Sequence, residues 1–373
     1  MKWIHTADWH LGKIVHGESM LDNQRAVLQE FLRLLDREQP DAVIIAGDLY
    51  DRAVPPTEAV ELLDTVLADI VLERKIPVVA ISGNHDSAER LSFGTTLLQR
   101  AGLHLAGKLT DTIEPVEIKG VRFYPVPFAD PATVRYIHQD ETIRTHDDAM
   151  RKIISKMELE GPSVLVGHVF VIGGLETDSE RQLSVGTAGQ VSASAFAPFT
   201  YTALGHLHNP LAIKSETIRY SGSLLKYSFS EASHVKGVDI LTLNDGGTFD
   251  RRFEPLTAKR DLRELTGSLV ELTDPVFVAT QATDDYIKIN LTDAEALIDP
   301  MGKLKKLYPN ILHLERTGFT RESTRAVQAS RDQVQAATLT DLFREFYEAV
   351  REKQPTDAMQ TVLEEEAACV QND

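Results

Sequence analysis

At 373 residues, 42% apolar and 25% charged, the chain has an ordinary globular balance and room for one large domain plus smaller ones. Its single cysteine, Cys369, excludes an internal disulfide and a cysteine-built metal site. The formal charge of −17 weighs against a nucleic-acid footprint, which is normally basic, although bound divalent cations invert the local sign at an acidic site.

Asp8 interrupts the N-terminus too early for a signal-peptide core. No apolar stretch approaches the roughly 18–20 residues of a membrane span. A soluble intracellular protein with no membrane partner is expected. Residues 3–7 read as a short strand. From 23 to 38, Val27, Leu28, Phe31, Leu34 and Leu35 recur at helical spacing. Residues 42–46 form a buried strand. Residues 57–73, entered through Pro55-Pro56, form a second amphipathic helix. A third strand follows at 77–82, then a helix at 88–101. This alternation predicts an α/β sheet with helices on its faces.

From residue 121 strands dominate, at 121–127, 163–166, 201–204, 218–221 and 238–243, with a helical stretch around 135–157. The expected fold is a two-layer β-sheet sandwich flanked by helices. A second unit is expected from Glu254-Pro255 onward. There 286–291 and 311–315 alternate like strands. Asp299-Pro300 starts a helix, with Asp as N-cap and Pro at the first helical position. Residues 301–307 complete that helix, giving a small α/β appendage. The polar stretch 318–338 reads as a linker. Beyond it, Leu342, Phe343, Phe346 and Val350, then Met359, Val362 and Leu363 after Pro355, mark two short helices. Domains are expected at 1–255, 256–320, 321–338 and 339–373.

Five short strings each follow an apolar run. They are Asp8-Trp9-His10, Gly47-Asp48 with Asp51 three residues on, Gly83-Asn84-His85-Asp86, Gly167-His168, and Gly205-His206-Leu207-His208. Singly, each is turn chemistry or a structural histidine. Jointly, they offer two Asp, one Asn and four His as oxygen and nitrogen ligands. Two divalent ions about 3.5–4 Å apart on such a set can activate water against a phosphate ester. Imidazole suits manganese, iron or zinc better than magnesium alone. In a mainly parallel sheet, loops at the strand carboxyl ends share one edge, so residues far apart in sequence can meet there.

The order of these strings resembles that of the calcineurin-like metallophosphoesterase superfamily. Ile4-His5-Thr6-Ala7-Asp8-Trp9-His10-Leu11-Gly12, Gly47-Asp48-Leu49-Tyr50-Asp51-Arg52 and Tyr220-Ser221-Gly222-Ser223 are similar to the bacterial SbcD nuclease family in particular. The resemblance covers the whole chain and is most specific in residues 1–230. It implies a metallophosphoesterase core, a DNA-binding capping domain at 256–320 and C-terminal helices that bind an SbcC-type coiled-coil ATPase. It also implies that Asp8, His10 and His208 hold one metal, that Asn84, His168 and His206 hold a second, and that Asp48 bridges them. His85 would be no ligand. It would sit beside the scissile phosphate, oriented by Asp86, while Asp51 supports the ligands from behind. The implied cofactors are two divalent ions, Mn2+ first, with Mg2+, Fe2+ or Zn2+ as alternatives. The implied activity is hydrolysis of DNA phosphodiesters, as a double-strand exonuclease and a single-strand or hairpin endonuclease, in repair, recombination and replication. DNA, the ATPase and a second copy within a heterotetramer are the implied partners, in the cytoplasm at the nucleoid.

Lys13, Arg52 and Arg90 lie near the strings and could hold DNA phosphates; a solvated charge is the equal alternative for each, and for Lys226 and Lys236. His5 is read as structural. The helices around 57–100 either form a homodimer contact or simply cover the sheet. Two other functions compete. A phosphoesterase of small substrates would need neither capping region nor partner helices. A non-catalytic scaffold would not keep every ligand position filled.

Overall fold

Alternate residues of the central strands enter different cores. In β1 (Lys2–Thr6), β2 (Ala42–Ile45) and β3 (Val78–Ile81), Ile4, Val43, Ile45, Val78 and Ala80 join one cluster with Phe31, Leu34, Leu62 and Leu63. Trp3, Ile44, Val79 and Ile81 join another, with Phe123, Val164, Tyr201 and Leu241. Burial on both faces is why 42–46 reads as an unbroken apolar run. The computed structural model describes residues 1–317 except Gln182, Ser184, Val185, Asp245, Gly246 and Ala296, and beyond them Arg344, Tyr347, Gln354, Pro355, Thr356, Met359 and Val362.

Adding β4 (Leu103–Ala106), the strands β5 (Val116–Ile118), β6 (Val121–Pro125), β7 (Ser163–His168), β8 (Tyr201–Gly205), β9 (Ile218–Tyr220), β10 (Gly237–Leu243) and β11 (Phe249–Pro255) complete two sheets. The first runs β11-β10-β1-β2-β3-β4 and the second β9-β8-β7-β6-β5. In the first, β1 to β4 are parallel, and β10 closes antiparallel on β1. In the second, β6 to β9 are parallel. The Trp3 cluster draws on both sheets; its ring meets Phe123 and Tyr201 edge-on, with centroids 5.9 and 6.1 Å apart. Helices α1 (Leu21–Glu38) and α2 (Thr57–Ala68) bury their apolar stripes with the first sheet. The expected two-layer sandwich flanked by helices is what the chain forms.

The helix expected at 88–101 is two short ones, α3 (Ala88–Leu91) and α4 (Thr95–Ala101). Gly94, at φ 72°, turns the backbone left-handed between them. The helix expected around 135–157 is also two, α5 (Pro131–His138) and α6 (His146–Ile154). Gln139 ends the first in a left-handed cap, and Thr145 with Asp148 forms a capping box that starts the second. After Ala68 the second helix widens into a π turn at Asp69–Glu73. The edge strands β5 and β11 were not legible, the first because it is only three residues long and the second because it is largely polar.

The chain divides into two compact units, Met1–Glu264 with Ala282–Lys288 and Asn310–His313, and the remainder. Strands β12 (Leu262–Gly267), β13 (Tyr286–Leu291) and β14 (Ile311–Arg316) form a three-stranded sheet in that order. In the second unit, Asp299 caps α7 (Pro300–Lys305), its carboxylate accepting Gly302 N–H at 3.0 Å. The linker expected at 321–338 lies outside the described residues, as does most of 339–373. Arg344, Tyr347, Met359 and Val362, which are described, are helical. Among the described residues, no helix is long and apolar enough to cross a membrane.

Candidate metal centre

All five strings lie at carboxyl ends of parallel strands: β1, β2 and β3 in one sheet, β7 and β8 in the other. The two sheet edges meet there. Asp8 N–H donates to Gly47 O at 3.1 Å and His10 N–H to Asp48 O at 2.9 Å. Across the sheets, His206 N–H donates to Asp8 Oδ1 at 3.0 Å. Close approach demands glycine: a Cβ on Gly83 would strike the Asp48 carboxylate, and one on Gly205 would strike Ala46 O. Four of the side-chain donors sit on left-handed backbone, Asp8 (φ 53°), His10 (46°), Asp48 (50°) and His206 (99°). Such conformations in non-glycine residues are disfavoured and cluster at functional sites.

The seven expected ligand residues converge. His10 Nε2 lies 3.0 Å from His208 Nε2 and 3.5 Å from Asp48 Oδ2. His168 Nε2 lies 3.4 Å from the same Asp48 oxygen and 2.9 Å from Asn84 Oδ1, which also faces His206 Nδ1 at 3.3 Å. Asp48 thus stands between one group containing Asp8, His10 and His208 and another containing Asn84, His168 and His206. Donor atoms of Asp8, His10 and His208 lie within 4.8 Å of one another, as do those of Asp8, Asp48 and His168. His206 Nε2 and His10 Nδ1 are buried with no hydrogen-bond partner. Lone pairs meeting lone pairs at such distances are arranged for cations.

The electrostatics agree. Burial pushes the Asp8 carboxyl up to about 7, against the pull of His168 and His208. Burial would also raise Asp48, but the charge and hydrogen bond of His168, then His10, hold it well below the usual carboxylate range. Burial pulls His10 and His206 well below the ordinary imidazole value. His168 rises to about 9 because Asp48 outweighs its burial. His10 and His206 are thus held in the neutral form that binds a divalent ion, while His168, favoured as a cation by Asp48, would release its proton as an ion replaced it. These residues therefore fit two divalent ions.

His85 lies beside this group, its ring centroid 4.7 Å from that of His10. Its backbone N–H donates to Asp48 Oδ1 at 2.9 Å, and its ring Nδ1 to the Asp51 carbonyl at 2.8 Å. The carbonyl of Asp51, rather than Asp86, therefore orients the ring. Asp86 instead accepts the backbone N–H groups of Leu49 (3.1 Å), Tyr50 (2.9 Å) and Gly83 (2.9 Å). It ties the Asp48 loop to the Asn84 loop. Burial, then repulsion from Asp48, push its carboxyl up to about 7.

Asp51 also faces His10 Nδ1 at 3.7 Å and takes Lys13 Nζ at 2.9 Å. Lys13 is thus a paired cation. Lys236 is buried against Glu231, and Lys226 donates to Ala232 O and Asp261, so neither is a loose surface charge. Arg52 and Arg90 are exposed. His5 is buried between Tyr201 OH and Leu204 O, each 3.2 Å away, as the structural reading has it. Sequence reasoning missed Gln24, whose amide holds His10 O at 2.7 Å and Trp9 O at 3.2 Å. It also missed Ser179, Glu180 and Glu231 around His208. None of these carries a local signal, because each acts across a long stretch of chain.

Residues 1–210 match the family model Calcineurin-like phosphoesterase, and 258–351 match Type 5 capsule protein repressor C-terminal domain. The SbcD subunit of nuclease SbcCD from Staphylococcus epidermidis is 38% identical over 323 residues, 86% of this chain and 86% of that protein. Among solved structures, Yfce, a phosphoesterase from E. coli, is 14% identical over 68% of this chain and 98% of its own, with a TM-score of 0.29. A dimetal phosphatase from Danio rerio is 11% identical over 70% and 97%, with a TM-score of 0.39. The phosphoesterase match and the clustered donors together support the use of divalent metal.

Proposed function

Because the chain belongs to the SbcD nuclease family within the calcineurin-like phosphoesterases, we propose that it is the metal-dependent DNA nuclease partner of an SbcC-type coiled-coil ATPase. Asp8, His10 and His208 would hold one ion, Asn84, His168 and His206 the other, with Asp48 between. Bound there, two divalent ions, Mn2+ foremost, would supply positive charge against a phosphodiester and make water more acidic. The observation that carries this reading is the shared approach of His10 and His168 to one oxygen of Asp48, at 3.5 and 3.4 Å.

The chain's own residues do the rest. With Nδ1 of His85 donating to Asp51 O, Nε2 is the nitrogen left free, and from the protonated ring it would give its proton to the departing oxygen. Asp86 keeps His85 and Asp48 in register by holding both loops through backbone N–H groups. Arg52 and Arg90, exposed near the strings, would position DNA phosphates, as would Lys13 on release from Asp51.

The activity is read as double-strand exonuclease and single-strand or hairpin endonuclease, exercised in the cytoplasm at the nucleoid during repair, recombination and replication. Residues 339–373 would seat the ATPase. An apolar groove of 410 Å³ lined by Val60, Leu63, Leu67, Phe93 and Leu98 supports a second copy docking on α2 and α4; Phe93 there is 88% exposed. The test is digestion of hairpin DNA with Mn2+ or with EDTA, alongside bis-p-nitrophenyl phosphate. Manganese-dependent nicking of the hairpin is expected. Hydrolysis of the small ester with DNA left intact would reassign the chain to small substrates, and no hydrolysis of either would make it a scaffold.

A further inference from the structure

Both ring nitrogens of His208 are engaged. Nε2 faces His10 Nε2 at 3.0 Å. Nδ1 lies 2.6 Å from Ser179 Oγ, and Ser179 Oγ is also hydrogen-bonded to Glu231 Oε1. Glu231 has no exposed surface. Its other oxygen takes Lys236 Nζ at 2.5 Å. The same amine donates to His208 O at 2.7 Å and Ser223 Oγ at 2.9 Å, so its three protons have three acceptors.

The direction of these bonds follows. Facing an ammonium, Glu231 is a carboxylate and accepts only. The Ser179 O–H must therefore donate to Glu231, leaving a lone pair of Oγ toward His208. The proton of that contact then sits on His208 Nδ1, so in the neutral ring the lone pair toward His10 is on Nε2. We propose that Glu231, acting through Ser179, is a positioning residue that locks His208 as the Nδ1–H tautomer and so presents Nε2 to a divalent cation. The inference rests on the reading of His208 as a metal ligand. The neighbouring Glu180 holds the same histidine by its backbone, its Oε1 accepting His208 N–H at 2.7 Å. A carboxylate behind a ligating imidazole raises its affinity for metal, and losing such a partner costs about 10–100-fold.

Glu231→Gln reverses the chain of bonds. Lys236 claims the amide oxygen, the amide N–H2 turns to Ser179, and the Ser179 hydroxyl donates to His208. That selects the Nε2–H tautomer, which blocks the ligand nitrogen. The test uses the full chain labelled with 15N-histidine and stripped of metal, read by long-range 1H–15N spectra, followed by Mn2+ titration calorimetry. The wild type should show His208 as Nδ1–H and bind two Mn2+. Glu231→Gln should show Nε2–H, with one site about 10–100-fold weaker. Ser179→Ala leaves the Glu231–Lys236 pair intact and serves if the first variant fails to fold; it should also weaken one site, while Ser179→Thr, keeping the hydroxyl, should restore it. A native tautomer and two native sites in Ser179→Ala and Glu231→Gln overturn the proposal. His208→Ala separates the underlying reading: it should remove one Mn2+, and retention of both would overturn His208 as a ligand and the proposal with it.

Discussion

Removing His5 should flatten the acid dependence of stability. Its imidazole has no exposed surface. Burial first, opposed by the Leu204 carbonyl and aided by the Arg219 charge, lowers its pKa from 6.5 to about 3. In the fold it stays neutral down to about pH 3, whereas in the unfolded chain it takes a proton near 6.5. Between those values the unfolded state binds more protons, so stability is full above 6.5 and falls as pH falls, by about 1.4 kcal/mol per pH unit. The loss is about 3 kcal/mol by pH 4.5 and about 5 kcal/mol across the window. Urea unfolding of EDTA-treated wild type and His5→Gln at pH 7.5, 5.5 and 4.5 measures it. The variant should be weaker at pH 7.5 by about 1–3 kcal/mol, for its altered buried hydrogen bonds. The gap should close by about 3 kcal/mol at pH 4.5. Parallel loss in both proteins would refute the neutral, buried imidazole.

Asp48→Ala should abolish nuclease activity and weaken both metal sites, because His10 and His168 share its Oδ2; metal analysis showing two tightly held ions would remove it from the middle of the site. His85→Gln should bind Mn2+ nearly as the wild type does but turn over about 10²–10⁴-fold more slowly, and single-turnover rates near wild type would dismiss it from the chemistry. Asp86→Ala strips three backbone N–H groups of their acceptor, which should cost about 3 kcal/mol or more in urea unfolding and loosen metal binding. Deleting 339–373 should leave manganese-dependent digestion intact and end co-purification with the ATPase; undiminished association would place that contact elsewhere.

The proposed ligand residues were legible because each ends or closely follows a strand, and β1, β2, β3, β7 and β8 are buried on both sides, with β2 and β3 wholly apolar. Alternation with helices in the first part of the chain pointed to a parallel sheet with Asp8, Asp48 and Asn84 at one edge; the meeting of Asp8 with His206 also needs the edge of the second sheet, which alternation did not show. Helix breaks were harder. Phe93-Gly94 interrupts α3 and α4 through one left-handed residue within an otherwise helical pattern. The edge strand β11 carries Arg251 and Arg252 paired to Asp239, Glu38 and Glu254, so its polarity reads as loop. The residues behind the ligands were the least legible. Asp86 looked like a partner for His85 because it is adjacent in sequence, yet its carboxylate faces Leu49, Tyr50 and Gly83. Ser179 and Glu231 reach His208 only through folding, from well before and well after it in sequence, at separations that no local pattern marks.

The left-handed backbone at Asp8, His10, Asp48 and His206 gives mutation at this centre a slope. Glycine at His10 or His206, whose rings hold no backbone N–H, would remove a proposed metal ligand while relieving a conformation that costs an ordinary residue roughly 1–2 kcal/mol; at Asp8 or Asp48 it would also strand the His206 or His85 N–H. A chain released from selection for cleavage would therefore gain local ease as it lost its donors. Decay through these two positions would leave well-folded, inert descendants rather than misfolded ones, detectable by glycines where His10 and His206 now stand.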